Sequence, residues 1–170
     1  PSPLRAALLA QKSGADSVTI HLREDRRHIR ELDLKQIKSK LKIPLNLEIA
    51  ATKEMLRIAL RNKPRFVCVV PEKRQELTTE GGLSIEYNLE FLKKNLPNLF
   101  KNNIEVSLFL DPKIENINAS IDLGVNAIEF HTGEIANAKG LEEKLLIKKF
   151  GSVIEYAVAK NISIRAGHGL

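Results

Sequence analysis

Leu45-Asn46-Leu47-Glu48-Ile49 alternates strictly between apolar and polar side chains. In a strand, successive side chains point to opposite faces. Leu45, Leu47 and Ile49 therefore share one face, and Asn46 and Glu48 the other. The same parity recurs upstream, where Val18, Ile20 and Leu22 oppose Thr19, His21 and Arg23. It recurs downstream, where Ile128 and Phe130 oppose Ala127, Glu129 and His131. A doubly wound sheet covered by helices on both sides favours apolar residues on both faces. One apolar and one polar face suit a barrel, with helices outside and a partly polar lumen inside. Barrel lumens are commonly packed with branched apolar residues, and an unpaired buried carboxylate costs several kcal/mol. Glu48 and Glu129 thus call for a polar network, a substrate, or both.

Outward from these strands the hydrophobic period alternates between two values. Helical spacing fits residues 3–13, 33–41, 52–62, 84–101, 112–123 and 141–160. Strand-like runs lie between them at 17–22, 43–49, 65–70, 104–110, 125–131 and 161–166. Such alternation predicts parallel βα units with right-handed crossovers. Gly14 and Gly124 stand where a left-handed C-cap would turn a helix into the next strand. No repeat or low-complexity linker divides residues 1–170, which read as a single α/β domain. The expected fold is a TIM (β/α)8 barrel in incomplete form, because six strands do not close one. Open sheet edges are normally covered. A first strand is therefore expected to be missing at the front, and a helix, a strand and a helix at the back.

The formal charge of +6 comes largely from dispersed lysines such as Lys35, Lys38, Lys40, Lys93 and Lys94. With few aromatics and no Trp, no stacking surface for bases is evident, and nucleic acid is not an expected partner. No stretch approaches the roughly 18 apolar residues of a membrane helix, and nothing resembles a signal peptide. A cytoplasmic location follows as the expectation. The lone Cys68, inside Phe66-Val67-Cys68-Val69-Val70, reads as a buried structural thiol.

The densest chemistry is His21-Leu22-Arg23-Glu24-Asp25-Arg26-Arg27-His28-Ile29, at the end of a strand. Arginine offers phosphate a planar, bidentate donor set, and histidine titrates near neutral pH. A phosphorylated small molecule is the natural ligand; a solvated loop is the alternative. All four histidines, His21, His28, His131 and His168, fall at or just past strand ends, which in a TIM barrel is the catalytic face. Burial is expected to raise the pKa of Glu48 and make it a base near neutrality. The alternative is pairing with a lumen arginine such as Arg165, and Glu129 has the same two readings. The polar loop from Val70 to Gly82 offers the Gly81-Gly82 amides and the Thr78 and Thr79 hydroxyls to phosphate or a sugar hydroxyl. Gly167-His168-Gly169 suits close backbone approach to a ligand. No CxxC, HExxH, P-loop or GxGxxG occurs, so no metal or nucleotide signature is present.

Taken together, several stretches resemble the pyridoxine 5′-phosphate synthase family, barrel enzymes of deoxyxylulose-phosphate-dependent vitamin B6 biosynthesis. They are Thr19 through Ile29, Asn46-Leu47-Glu48, Val70 through Gly82, Val106-Ser107-Leu108-Phe109, Ile128 through Gly133, and Ala166 through Leu170. They run in order along essentially the whole chain. The resemblance implies condensation of 1-deoxy-D-xylulose 5-phosphate with 3-amino-2-oxopropyl phosphate. The products would be pyridoxine 5′-phosphate, phosphate and water, with no metal or organic cofactor. Carried over by motif, His21 and Glu48 would be general bases, His168 the general acid, and Glu129 a stabiliser of transition-state charge. Arg23, His28 and Thr78 would bind the deoxyxylulose phosphate, and Gly169 the aminoketone phosphate. The resemblance also implies a homo-oligomer, an octamer. The family's opening strand, with its Asn-x-Asp-His motif, and its last strand, with a Gly-His pair, have no counterpart here, so these 170 residues alone are expected to be inactive.

Two rivals remain on the residues. One is another phosphosugar isomerase or aldolase on the same barrel, whose mark would be a Schiff-base lysine at a strand end. The other is a non-catalytic barrel-derived binding module, which would have replaced His21, Glu48, Glu129 and His168.

Overall fold

The polar residues that the sequence places on one strand face line the concave side of a single six-stranded parallel sheet, in the order β1-β2-β3-β4-β5-β6. The computed structural model describes residues 2–72 and 81–168. Helix α1 (Pro3–Lys12) leads into β1 (Val18–His21), followed by α2 (Glu31–Lys40), β2 (Leu45–Ala50), α3 (Lys53–Asn62) and β3 (Phe66–Val70). Then come α4 (Ile85–Lys101), β4 (Glu105–Leu110), α5 (Ile114–Asp122) and β5 (Ala127–His131). The last elements are the short α6 (Gly133–Asn137), α7 (Leu141–Ala159) and β6 (Ser163–Gly167). Every expected helix and strand is present, with ends differing by a residue or two. The addition is α6, whose five residues are too few to carry a readable helical period.

The boundaries have local causes. Ser2 caps α1 by accepting from the Arg5 N–H at 3.3 Å, with Pro3 at the first helical position. Thr52 and Ser84 cap α3 and α4 in the same way, at 3.4 and 3.3 Å. Gly14 and Gly124 take φ of +93° and +73°. At each, paired bonds run back into the helix: Ala15 N–H to Ala10 O and Gly14 N–H to Gln11 O, then Val125 N–H to Ser120 O and Gly124 N–H to Ile121 O. That is the Schellman arrangement, and it needs the left-handed conformation glycine adopts freely.

The sheet is staggered and curled. One register row passes His21, Glu48, Cys68, Ser107, Ala127 and Ser163. It starts at the last residue of β1 and ends at the first residue of β6, the stagger that tilted barrel strands require. Arg165 on β6 lies over the ring of Phe66 on β3, 4.9 Å from its centroid. A flat sheet would separate those strands by about 14 Å. The convex side is dry: Leu22, Leu47, Ile49, Val67, Leu108, Ile128 and Phe130 are fully buried beneath the helices. Strand parity therefore divides the molecule as the sequence implies, into an apolar core outside the sheet and polar chemistry inside it. Among the described residues no helix is long and apolar enough to cross a membrane.

Candidate active site

Two groups of side chains share the concave face, one at each end of the strands. At the N-terminal end, Arg165 donates to Glu105 Oε1 at 2.8 Å and to Ser107 Oγ at 3.5 Å. Arg65 adds a second cation 3.6 Å from Glu105, and both guanidiniums lie over the Phe66 ring. Arg165 thus pairs with Glu105, and the alternative in which it neutralises Glu48 is not the arrangement formed. Nearby, buried Asn46 donates to Thr19 Oγ1 at 3.3 Å, while its own Oδ1 has no partner among the described residues.

At the C-terminal end, His21 closes β1 directly beside Glu48 of β2. Its Nδ1 lies 3.6 Å from Glu48 Oε2, ion-pair range but longer than a good hydrogen bond. Its Nε2 hydrogen-bonds Glu72 Oε1 at 2.9 Å. Burial raises the Glu48 carboxyl, against the opposing pull of His21 and His168. Burial also raises Glu129, and the charge of Glu48 raises it further. Glu129 accepts a weak bond from the Cys68 thiol, with sulfur at 3.9 Å; the thiol itself is pushed upward by burial and by Glu129. A Cβ at Gly167 would stand 2.6 Å from Glu129 Oε1, so glycine there makes room for the carboxylate.

His131 and His168 form a second pole. Their rings are 5.0 Å apart, and Phe109 presents its edge to both. His131 Nδ1 lies 3.8 Å from Asp111 Oδ1. The Thr132 hydroxyl lies 2.9 and 2.8 Å from the carbonyls of Gly167 and His168, which fixes the turn carrying His168 at a φ of +75°.

The loop after β1 is braced by ion pairs of its own arginines. Arg23 holds Asp25 at 3.2 Å, and hydrogen bonds from Arg23 and Arg27 keep the Asp25 carboxyl well below its usual range. Arg26 takes a left-handed φ of +54°, donates to the carbonyls of Arg23 and Glu24, and pairs with Glu31 and Glu54. It is the loop's internal brace. His28 is exposed. The amide of Gly82, read in the sequence as a phosphate donor, is taken by Asp111 Oδ1 at 2.8 Å. Gly82 is required for packing, since its Cβ would stand 2.5 Å from the Leu110 backbone. Thr78 and Gly169, and with them Thr79, lie outside the described residues.

His21, Glu48, Glu129 and His168 are therefore gathered on one face at one end of the sheet. Sequence reading passed over Glu72 and Asp111. Glu72 is the second residue past β3 and so belongs to the same face, a position its charged surroundings in the sequence concealed. No described strand carries a lysine, so none of them supplies the amine a Schiff-base aldolase would need.

Comparison with known proteins bears on the fold and on the family. Solved structures of similar shape include the 2-keto-3-deoxy-6-phosphogluconate aldolase of Zymomonas mobilis ZM4 with 3-phosphoglycerate. It superposes with a TM-score of 0.56 at 16% identity, over 99% of this chain and 64% of that one. A D-psicose 3-epimerase in the presence of D-fructose gives 0.58 at 10% identity, over 97% and 79%. At such identities the likeness is one of fold. Closer relatives are the pyridoxine 5′-phosphate synthases of Prochlorococcus marinus (strain MIT 9515) and Aquifex aeolicus (strain VF5), each 48% identical across all of this chain. The chain spans 71% and 72% of their lengths. Residues 1–170 also match the family described as pyridoxal phosphate biosynthesis protein PdxJ. On that full-length match the chain belongs to the PdxJ family, whose curated relatives are enzymes that make pyridoxine 5′-phosphate.

Proposed function

We propose that the full polypeptide condenses 1-deoxy-D-xylulose 5-phosphate with 3-amino-2-oxopropyl phosphate to give pyridoxine 5′-phosphate, phosphate and water. The observation carrying this reading is the pair of part-buried carboxylates, Glu48 and Glu129, both raised by burial and gathered with His21 and His168 at one sheet end. Ring formation requires an imine, loss of phosphate and an aldol-type closure, and each moves protons at carbon or oxygen. Groups whose environments push their pKa values to different places around one pocket suit that sequence of steps.

In this reading His21 and Glu48 remove protons, His168 returns one to a leaving oxygen, and Glu129 faces positive charge developing on the nitrogen-bearing intermediate. Arg23 binds the deoxyxylulose phosphate with His28 and Thr78. Its present partner is the exposed Asp25, which a phosphate dianion would displace by offering stronger charge in the same bidentate geometry. Gly169 binds the aminoketone phosphate through its backbone. Residues 1–170 form one part of a barrel domain that closes with further βα units in the full polypeptide, and the complete protein assembles as an octamer. Exposed Leu141 and Leu145, one turn apart on α7, are apolar surface suited to such contacts.

The test is to incubate the full-length protein with both phosphates, without added metal, and follow pyridoxine 5′-phosphate and released phosphate together. Equal appearance of the two is the expected result. Phosphate release with no pyridoxine product would overturn the reading.

A further inference from the structure

The Glu72 side chain is 4% exposed, and both of its oxygens are occupied. Oε1 lies 2.9 Å from His21 Nε2, and Oε2 accepts the Glu24 backbone N–H at 2.8 Å. An ionised carboxylate can only accept. A hydrogen bond to His21 Nε2 therefore requires the proton to sit on that nitrogen. In a neutral ring the other nitrogen, Nδ1, then carries the lone pair, and it is Nδ1 that faces Glu48 at 3.6 Å. We propose that Glu72 is the positioning residue of His21: it fixes the Nε2–H tautomer and leaves Nδ1 as the atom that takes the proton during ring formation. This rests on the reading of His21 as a base.

The electrostatics agree. Burial acts to raise Glu72, but hydrogen bonds from the His21 ring and the Glu24 amide outweigh it, with Arg23 adding to the same effect, and the carboxyl ends below its usual value. Glu48, on the opposite side of the same ring, is raised. Two carboxylates on one imidazole are thus driven apart: one stays an acceptor and one is tuned to carry protons. Among the described residues, the charged and titratable groups around the ring are Glu48 from β2, Glu72 after β3, and Arg23 in the β1–α2 loop, with His168 after β6 acting on Glu48. The logic is that of a carboxylate orienting a catalytic histidine in a triad.

The experiment uses full-length protein labelled with 15N-histidine. Two-bond proton–nitrogen spectra read the His21 tautomer, with H21Q identifying its signals. The expected wild-type result is Nε2–H; an Nδ1–H tautomer overturns the proposal whether or not any variant folds. In E72Q the tautomer should become mixed. Its kcat should fall about 10- to 100-fold, the size typical of removing a carboxylate hydrogen-bonded behind a metal-bound histidine, with KM little changed. The ascending limb of the kcat–pH profile should move to lower pH, because a protonated ring loses its anionic partner. An E72Q protein with unchanged tautomer and unchanged profile also overturns it. Absence of pyridoxine 5′-phosphate from the wild type would sink the proposed reaction instead, and the spectra would still decide the role of Glu72.

Discussion

The two ends of the concave face hold similar residues in opposite electrical states. Toward the N-terminal end, Glu105 is neutralised by Arg165 and flanked by Arg65, over a shared aromatic ring. Toward the C-terminal end, Glu48 and Glu129 have no arginine or lysine within ion-pair distance among the described residues, and both are raised by burial. A carboxylate satisfied by a guanidinium is inert and contributes to structure. A carboxylate deprived of one and withdrawn from water holds its proton more tightly than usual. Within one lumen, the placement of cations and the depth of burial together set the two ends apart.

The largest effect should come from breaking the reactive end. Replacing Glu48 with Gln keeps the shape and removes the proposed base, and turnover in the full-length enzyme should fall by roughly 10²–10⁴-fold. Steady-state kinetics of pyridoxine 5′-phosphate formation would check it, and an unchanged kcat would remove Glu48 from the mechanism. Next comes Gly167→Ala. The new Cβ would meet Glu129 Oε1 at 2.6 Å and push the carboxylate aside. Misplacement on that scale should cost up to about 100-fold in kcat, with little loss of stability because Gly167 has no positive φ.

The inert end should answer in stability instead. Glu105→Gln breaks a half-exposed ion pair and should cost about 1 kcal/mol in urea unfolding, after allowance for solvent screening. Its kcat should stay far closer to wild type than that of Glu48→Gln. A stability loss accompanied by an equal collapse of activity would blur the division between the two ends.

The smallest effect is a tilt with pH. Glu48 is raised in the folded protein, so the fold holds its proton more tightly than the unfolded chain does. The stability this contributes is present below the ordinary carboxylate range and is lost as pH rises through the raised value. Glu72 is lowered, so its contribution is present above the ordinary range and is lost as pH falls. Relative to wild type, Glu48→Gln should therefore gain stability as pH rises, and Glu72→Gln should lose it. Urea midpoints at several pH values would show whether the two slopes are opposite.

The β2 pattern was enough to say that Glu48 and Asn46 share a face, because alternation along a strand is local geometry. The Gly14 and Gly124 turns were equally legible, since a left-handed C-cap depends on few neighbours. Partners were not legible. Arg165 lies two registered strands from Glu105, and only the stagger and curl of the sheet decide that it pairs there and not with Glu48. Glu72 was hidden for a related reason: a glutamate in a charged stretch looks solvated until its side chain is placed against His21. The Gly82 amide looked available for phosphate until Asp111 was seen to occupy it.

By itself, then, the sequence determined the alternation of helices and strands, the polar face, and that His21, Glu48, Glu129 and His168 fall toward the same end of their strands. Periodicity and end signals arise from neighbours a few residues apart. Only the tertiary structure decided which lumen carboxylates pair with an arginine and which do not. That outcome depends on distances between strands far apart in the chain, and on how much water each carboxylate keeps.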